Sequence, residues 1–200
     1  MIFTSSKISD GNMSLKCDNP EKALENRLKF FVKLGINPKN VLEVNQVHGN
    51  NVIIVNNISD FKKEADGLIT SRADIFLMLK TADCVPIALF DPINHTLGLI
   101  HAGFKSLEKG IIKRAIDGMK RNYRSDPKNI VVQFGPSIGP CHYRLDLWTD
   151  AEKQFIKSGI LKSNIFNQKI CTYESKDYFS HRKSQDSYTQ EGRFITILGL

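Results

Sequence analysis

Apolar residues recur at helical spacing in three segments of the chain. The first begins at Asn19-Pro20, where an N-cap residue precedes proline at the first helical position, and it ends at Gly35. The second begins near Ser106, and the third has a capping-box pattern at residues 149–152 and ends at Gly159. We therefore predict three amphipathic helices. Their predicted apolar faces are Leu24, Leu28, Phe31 and Val32 in the first helix, and Ile111, Ile112, Ala115, Ile116 and Met119 in the second.

Short β-branched and apolar runs between these segments predict strands. Residues 51–57, 130–134 and 194–198 are runs of this kind. Residues 85–90 and 96–100 flank turn-forming residues and predict an antiparallel hairpin. Strands that alternate with helices, together with such a hairpin, are typical of a mixed α/β or α+β sandwich, although the pattern does not decide the strand order.

The hairpin brings two residues at its open end together. Cys84 begins the first strand and His101 ends the second. Because antiparallel pairing places the start of one strand beside the end of the other, we expect these residues to be neighbours in space. His48 immediately precedes the strand at residues 51–57, so it too lies at the edge of a strand.

Length and composition favour one domain without a membrane span. Two hundred residues at 41% hydrophobic content can bury one sizeable core, and no Pro/Gly/Ser-rich linker divides the chain. We therefore expect a single catalytic domain over residues 1–200. No apolar run approaches the roughly 20 residues that a bilayer span needs, and the N-terminus has no secretory pattern. We expect a cytoplasmic protein with no membrane partner.

The net charge of +7 is compatible with an anionic partner but does not identify one. The lysines are scattered and no basic motif is interleaved with aromatic residues, so we expect no nucleic-acid partner. The four cysteines form no CxxC pair, which favours reduced thiols over a disulfide framework. Among the remaining residues, Cys17 and Cys171 carry no signal, and His142 and His181 suit either a loop or a secondary site.

His48, Cys84 and His101 form a candidate zinc site. Two imidazoles and one thiolate supply three protein ligands and leave a fourth tetrahedral position open, as in catalytic zinc sites. Zinc in such a site acts as a Lewis acid toward water or substrate. Asp83, next to Cys84, is a candidate to orient one of the histidines, or alternatively a turn-capping carboxylate.

Two other interpretations use the same atoms. In a metal-free cysteine hydrolase, Cys84 would be the nucleophile and His101 or His48 the base. Histidine and cysteine ligands also suit copper (Cu²⁺), so ligand type alone does not separate the two metals. These alternatives stay open at the level of the residues.

Five segments follow one another along the chain in a recognisable order. They are Asn45-Gln46-Val47-His48-Gly49, Glu64-Ala65-Asp66-Gly67-Leu68-Ile69-Thr70, Thr81-Ala82-Asp83-Cys84-Val85-Pro86, His101-Ala102-Gly103 and Gly135-Pro136-Ser137-Ile138-Gly139-Pro140-Cys141-His142-Tyr143. Taken together, they resemble the laccase-domain family, and the resemblance runs from about residue 41 to the C-terminus. Members of this family are described as multicopper polyphenol oxidases or as purine nucleoside phosphorylases with adenosine deaminase activity.

The resemblance implies a layered α/β/β/α sandwich with mixed sheets and a zinc ion held by His48, Cys84 and His101. It also implies phosphorolysis of adenosine, inosine, guanosine and methylthioadenosine, with purine nucleosides and phosphate as partners. Copper-dependent polyphenol oxidation ranks low, because a single site with two histidines and one cysteine cannot carry out the four-electron reduction of dioxygen. The candidate substrate-binding residues are Gln46, Lys105, Arg182 and Arg193.

The chain departs from the family pattern at two places. The family continues His-Ala-Gly with Trp-Arg-Gly, whereas this chain has Phe104-Lys105-Ser106, which keeps an aromatic residue and a cation but loses the planar fork of arginine. The family's Phe-Ser-Thr-Arg element corresponds to Phe3-Thr4-Ser5-Ser6, without the arginine. Weakened phosphate affinity, or a domain that binds nucleosides without turnover, is therefore an alternative to full activity.

Overall fold

Two mixed β-sheets pack face to face in the computed structural model, which describes residues 1–17, 19–58 and 63–200. In the four-stranded sheet the order is β1 (Ile2–Ser5), β10 (Phe194–Gly199), β5 (Phe76–Thr81) and β2 (Val41–Glu43). In the six-stranded sheet it is β3 (Val52–Ile54), β4 (Gly67–Thr70), β7 (Thr96–Ala102), β6 (Val85–Asp91), β8 (Val131–Phe134) and β9 (Ile165–Asn167). The β2–β5, β3–β4 and β8–β9 pairs are parallel, and the other pairs are antiparallel.

The described residues form helices α1 (Pro20–Lys33), α2 (Phe104–Glu108), α3 (Ile111–Tyr123), α4 (Leu147–Lys157) and α5 (His181–Ser187). The first four cover the outer faces of the two sheets, whereas α5 has no buried residue. Phe30 and Phe31 of α1 pack with Ile195 and Ile197 of the four-stranded sheet. Helices α3 and α4 pack on the six-stranded sheet, where Phe155 is fully buried.

A third core lies between the two sheets. Leu77 and Leu79 from the four-stranded sheet pack there with Leu68, Leu97 and Leu99 from the six-stranded sheet. All five side chains are fully buried, and burying a leucine contributes about 1.5–3 kcal/mol. Helix, sheet, sheet and helix therefore form successive layers, and the predicted α/β/β/α sandwich with mixed sheets is confirmed.

The predicted hairpin is also present. Strands β6 and β7 pair antiparallel, with Val85 opposite Ala102 and Pro86 opposite His101. Its turn is held by Asp91, whose carboxylate accepts the backbone N–H groups of Ile93 and Asn94. The strands at residues 51–57, 130–134 and 194–198 appear as β3, β8 and β10; β3 and β8 are shorter than predicted, and β10 is one residue longer.

The first helix was predicted correctly, but its buried face was not. Helix α1 buries Ala23, Arg27, Phe30 and Phe31. Of the predicted apolar face, only Phe31 is buried, because Leu24, Leu28 and Val32 are 49%, 50% and 75% exposed. Buried Arg27 explains the difference, because its guanidinium donates to the carbonyl of Met13 and pairs with Glu43. These bonds hold the side of the helix that carries Arg27 against the protein.

The other two predicted helices differ at their starts. The second is divided at Gly110, whose φ of 76° interrupts the helix between α2 and α3, but its five predicted core residues are all buried. The third begins at Leu147, because Asp146 is the N-cap and accepts the backbone N–H of Thr149. Within the described residues, no helix has the length and apolar character needed to cross a bilayer.

Candidate metal centre and adjoining cleft

The three candidate ligands lie where the chain passes between the sheets or leaves them. His48 is in the connection from β2 of the four-stranded sheet to β3 of the six-stranded sheet. Cys84 is in the connection from β5 to β6, which crosses between the same two sheets. His101 lies near the end of β7, opposite Pro86. The packing of the two sheets therefore determines the separation of these side chains.

Their donor atoms form one group. The ligand atoms of His48, Cys84 and His101 all lie within 4.8 Å of one another. The Cys84 Sγ is 3.9 Å from the His48 Nε2, and the two imidazole rings meet edge to face with centroids 4.7 Å apart. Sulfur and nitrogen ligands of a tetrahedral zinc ion lie about 3.6 Å apart, given bond lengths of about 2.3 and 2.05 Å. The Cys84–His48 pair therefore fits zinc after a shift of a few tenths of an ångström, and the residue types of the group suit the same metal.

Gly103 leaves space beside this group. A Cβ atom at Gly103 would lie 2.7 Å from the Cys84 Sγ and 3.4 Å from the His48 Cδ2. The first distance is well inside van der Waals contact, so any larger residue here would displace the thiol. The glycine of His101-Ala102-Gly103 is thus required by the position of the ligands.

Asp66 orients two of the three ligands. This fully buried carboxylate accepts the backbone N–H groups of Val47, His48 and Gly49, which fixes the loop that carries His48. It also lies 2.8 Å from the Nδ1 of His101. When the Nδ1–H of His101 donates to the Asp66 carboxylate, the Nε2 of His101 is the nitrogen that can bind a metal.

The sequence did not assign this role to Asp66. Asp83 was the candidate, but its carboxylate accepts the Thr172 hydroxyl and the Arg182 backbone N–H instead. Asp83 therefore ties the Cys84 connection to the C-terminal part of the chain. Asp66 belongs to the segment Glu64-Ala65-Asp66-Gly67, one of those that resemble the family, so the sequence did mark this residue. Its partner His101 lies 35 residues away in the sequence, so spacing alone did not reveal the contact.

Charges within the group are strongly coupled. Burial opposes ionisation of the Cys84 thiol, but His101 and His48 outweigh it and lower the pKa of Cys84 to about 6. Burial likewise disfavours a charged His101, but Cys84 and Asp66 outweigh it and raise the pKa of His101 to about 9. Asp66 is itself buried, yet its bonds to His101 and to the loop amides hold the pKa of its carboxyl below the usual range. A thiolate is thus available as a metal ligand or nucleophile.

A cleft of about 640 Å³ adjoins the three ligands. Phe104, Ile138 and Tyr143 supply apolar and aromatic surface, and Arg182 and Arg193 supply positive charge. The Arg182 guanidinium lies 5.9 Å from the centre of the Tyr143 ring, within range of a cation–π interaction. The cleft therefore combines a candidate metal-binding group, apolar and aromatic side chains and two guanidinium groups.

The predicted substrate-binding residues occupy different positions. Gln46, Arg182 and Arg193 line the cleft. The Gln46 amide exchanges two hydrogen bonds of 2.8 Å with the backbone of Lys80, so it also joins the His48 loop to β5. Arg193 donates to the Gly192 carbonyl and pairs with Glu191. Lys105 is exposed on α2 and is not among the described residues that line the cleft.

A family model described as multi-copper polyphenol oxidoreductase laccase matches residues 3–146 and 142–200, which is nearly the whole chain. The chain belongs to this family. The resemblance drawn from the sequence motifs is thereby confirmed.

Relatives carry an enzyme name. A purine nucleoside phosphorylase of Streptomyces coelicolor is 28% identical over 196 residues, covering 84% of this chain and 80% of that protein. A purine nucleoside phosphorylase of Clostridium acetobutylicum is 31% identical over 187 residues, covering 80% and 78%.

Solved structures of the same family share the fold. The hypothetical protein YfiH of Bacillus licheniformis aligns with a TM-score of 0.88 at 26% identity, covering 94% of this chain and 85% of that one. YlmD from Geobacillus stearothermophilus aligns with a TM-score of 0.88 at 27% identity, covering 94% and 84%.

Proposed function

We propose that this chain is a purine nucleoside phosphorylase with a zinc ion held by His48, Cys84 and His101. The observation that carries the proposal is the joint position of the three ligands and Asp66 beside a cleft with aromatic and guanidinium groups. The names of the Streptomyces and Clostridium relatives support the same reaction. Zinc in this site would supply a Lewis acid.

The residues of the cleft suit the two substrates. Phe104 and Tyr143 offer apolar surface for a planar base, and Arg182 and Arg193 offer planar donors for phosphate. In phosphorolysis a phosphate oxygen bonds to the ribose anomeric carbon as the glycosidic bond breaks, and the departing purine nitrogen takes the electron pair and then a proton. Positive charge near phosphate and exclusion of water beside the ring are what this reaction needs from the chain.

Phosphate binding is proposed for Arg182 and Arg193 in preference to Lys105. Both arginines line the cleft, whereas Lys105 is exposed on α2. The cleft therefore keeps two planar guanidinium donors, although the segment Phe104-Lys105-Ser106 contains no arginine. Adenosine, inosine, guanosine and methylthioadenosine are the proposed nucleosides, and the cytoplasm is the proposed location.

Adenosine deamination is proposed as a second activity of the same centre. Zinc deaminases attack the purine C6 with water activated by the metal, so a zinc site with an open position beside a purine-binding wall fits this chemistry. Phosphorolysis requires phosphate and deamination does not, so the two activities are measured separately by adding or omitting phosphate.

A metal-free cysteine hydrolase is the second candidate function. Cys84, His101 and Asp66 are connected in series, as in a nucleophile, a base and a residue that orients the base. The His48 Nε2 also lies 3.9 Å from the Cys84 Sγ, and a hydrolase of this kind does not require a second histidine at the sulfur. This fourth residue favours the metal centre.

The test is release of hypoxanthine from inosine as a function of phosphate concentration. We expect release to require phosphate, to be lost in Cys84→Ala and His48→Gln, and to weaken in Arg182→Gln mainly through the KM for phosphate. His95→Gln, in the exposed β6–β7 turn, is the matched histidine control and should retain activity. Release at an equal rate without phosphate would contradict phosphorolysis and favour hydrolysis.

A further inference from the structure

A second group of metal-binding side chains lies outside the cleft, where two loops meet. Cys141 and His142 belong to the connection between β8 and α4, and Cys171 belongs to the connection between β9 and α5. The Thr172 amide donates to the Ser137 carbonyl at 3.0 Å and holds the two connections together. The ligand atoms of the three residues all lie within 4.8 Å of one another.

The separation of the two sulfur atoms fits a shared metal ion. The Cys141 Sγ and the Cys171 Sγ are 3.7 Å apart. Two thiolates on one tetrahedral zinc ion lie about 3.8 Å apart, given zinc–sulfur bonds of about 2.3 Å. A disulfide needs about 2.05 Å, so both side chains would have to move to form one.

His142 supplies the observation that favours a metal over a thiol pair. Its Nδ1 is shielded from solvent and has no hydrogen-bond partner among the described residues. The nearest carboxylate oxygen, on Glu174, is 3.8 Å away. The imidazole is stacked on Tyr173, with ring centroids 4.0 Å apart and planes inclined by 13°, so its orientation is fixed. A buried polar atom without a partner is costly, and a metal ion would satisfy it.

We propose that Cys141, His142 and Cys171 form a second metal site, selective for a thiophilic cation such as zinc. Two thiolates and one imidazole are soft to intermediate ligands, which favours zinc over magnesium or calcium. Binding forms two metal–sulfur bonds and one metal–nitrogen bond and releases the two thiol protons to solvent. Cys141 is exposed and gives the ion access from solvent.

A metal ion at this site would stabilise two loops that position residues of the cleft. Tyr143 lies two residues after Cys141 and lines the cleft, where it contacts Arg182. Thr172, next to Cys171, donates its hydroxyl to Asp83, the neighbour of Cys84. A metal ion that joins the two loops would therefore stabilise the wall without contacting substrate, so its loss should affect KM more than kcat.

Zinc content of the reduced, full-length protein tests the proposal. After zinc loading and desalting we expect about two ions per chain in the wild type, and about one in Cys141→Ser and in Cys84→Ser. Cys17→Ser and His95→Gln are matched controls and should retain the wild-type content. With cobalt as the probe, the thiolate-to-metal absorption per ion should be about twice as strong in Cys84→Ser as in Cys141→Ser, because two thiolates remain rather than one.

A wild type with one zinc that is lost only in Cys84→Ser would overturn the proposal. So would Cys141→Ser and His142→Gln proteins that keep the wild-type content, with circular dichroism confirming that both are folded. A Cys141–Cys171 disulfide that persists in the reduced preparation would also overturn it and would assign the pair to redox chemistry. The test does not depend on nucleoside turnover, so it can fail while the proposed phosphorylase activity holds.

Discussion

Asp66 accepts hydrogen bonds from both a ligand side chain and the loop that carries another ligand. Its bond to the His101 Nδ1 selects the tautomer, and its bonds to the amides of residues 47–49 hold His48 in place at a φ of 56°. A left-handed φ at a residue other than glycine persists only where surrounding contacts impose it. One carboxylate therefore determines both the left-handed backbone at His48 and the orientation of His101 in the candidate metal centre.

Asp66→Asn should lower zinc affinity about 10–100-fold. The asparagine amide can donate its N–H to the Nδ1 of His101, which would move the ring proton to Nε2, the nitrogen that is needed for the metal. Asp91→Asn is the matched control: Asp91 is also fully buried and accepts backbone amides, but it lies in the hairpin turn. Competition with a chelator measures both affinities. Equal losses in the two variants would mean that Asp66 acts only on stability.

Gly103→Ala should abolish zinc binding at the first centre, because the new Cβ would lie 2.7 Å from the Cys84 Sγ. Gly110→Ala is the control, with open space around its Cβ but a φ of 76° that costs about 1 kcal/mol. Thermal unfolding should register both changes, whereas zinc content should fall only in Gly103→Ala. Unchanged zinc content there would show that the thiol can move aside.

In metal-free protein, the Cys84 thiol should be alkylated at a lower pH than an ordinary cysteine. Its pKa is lowered to about 6, so the alkylation rate should rise through pH 6 and level off well below pH 9. Burial and the neighbouring Cys171 and Glu174 raise the pKa of Cys141, so its rate should still be rising there. Mass spectrometry after brief alkylation at pH 7 should find Cys84 labelled first, although Cys141 is the more exposed thiol. The reverse order would contradict this charge arrangement.

At the scale of elements, helix α1 shows where periodicity fails. Its caps and length followed from Asn19, Pro20 and Gly35, but the buried face did not. An apolar stripe predicts burial only when no charged residue finds partners inside, and Arg27 finds the Met13 carbonyl and Glu43. Strands β1, β2, β4, β5 and β9 were not predicted from the sequence. Four of them have only three or four residues, which carry little period, and the apolar run of β5 does not by periodicity distinguish a strand from a buried helix.

The two sides of α1 should respond differently to truncation. Phe31→Ala should cost about 3–5 kcal/mol of the free energy of unfolding, as a buried aromatic residue does. Leu28→Ala, on the half-exposed side, should cost less than about 1 kcal/mol. Denaturant unfolding measures both. A larger loss at Leu28 would mean that the exposed side is covered in solution.

At the scale of the whole molecule, the candidate metal centre depends on how the two sheets are joined. The hairpin placed Cys84 beside His101 from sequence alone, because that relation is local in the chain. The approach of His48 and Asp66 could not be derived from spacing, since it follows from two connections that cross between sheets. The resemblance to the family, rather than the periodicity of apolar residues, implied the layered sandwich and the grouping of His48 with Cys84 and His101. The single domain over residues 1–200 and the substrate-binding roles of Gln46, Lys105, Arg182 and Arg193 stay predictions.

The most direct test of the central claim is removal and restoration of the metal during turnover. Wild-type protein is stripped with a chelator, and phosphate-dependent release of hypoxanthine from inosine is followed before stripping, after it and after zinc is returned. We expect release to be lost with the metal and to recover with zinc, whereas Cys84→Ala stays inactive throughout. Full activity in the stripped protein would contradict a zinc-dependent phosphorylase and favour the Cys84–His101–Asp66 arrangement as a metal-free catalytic group.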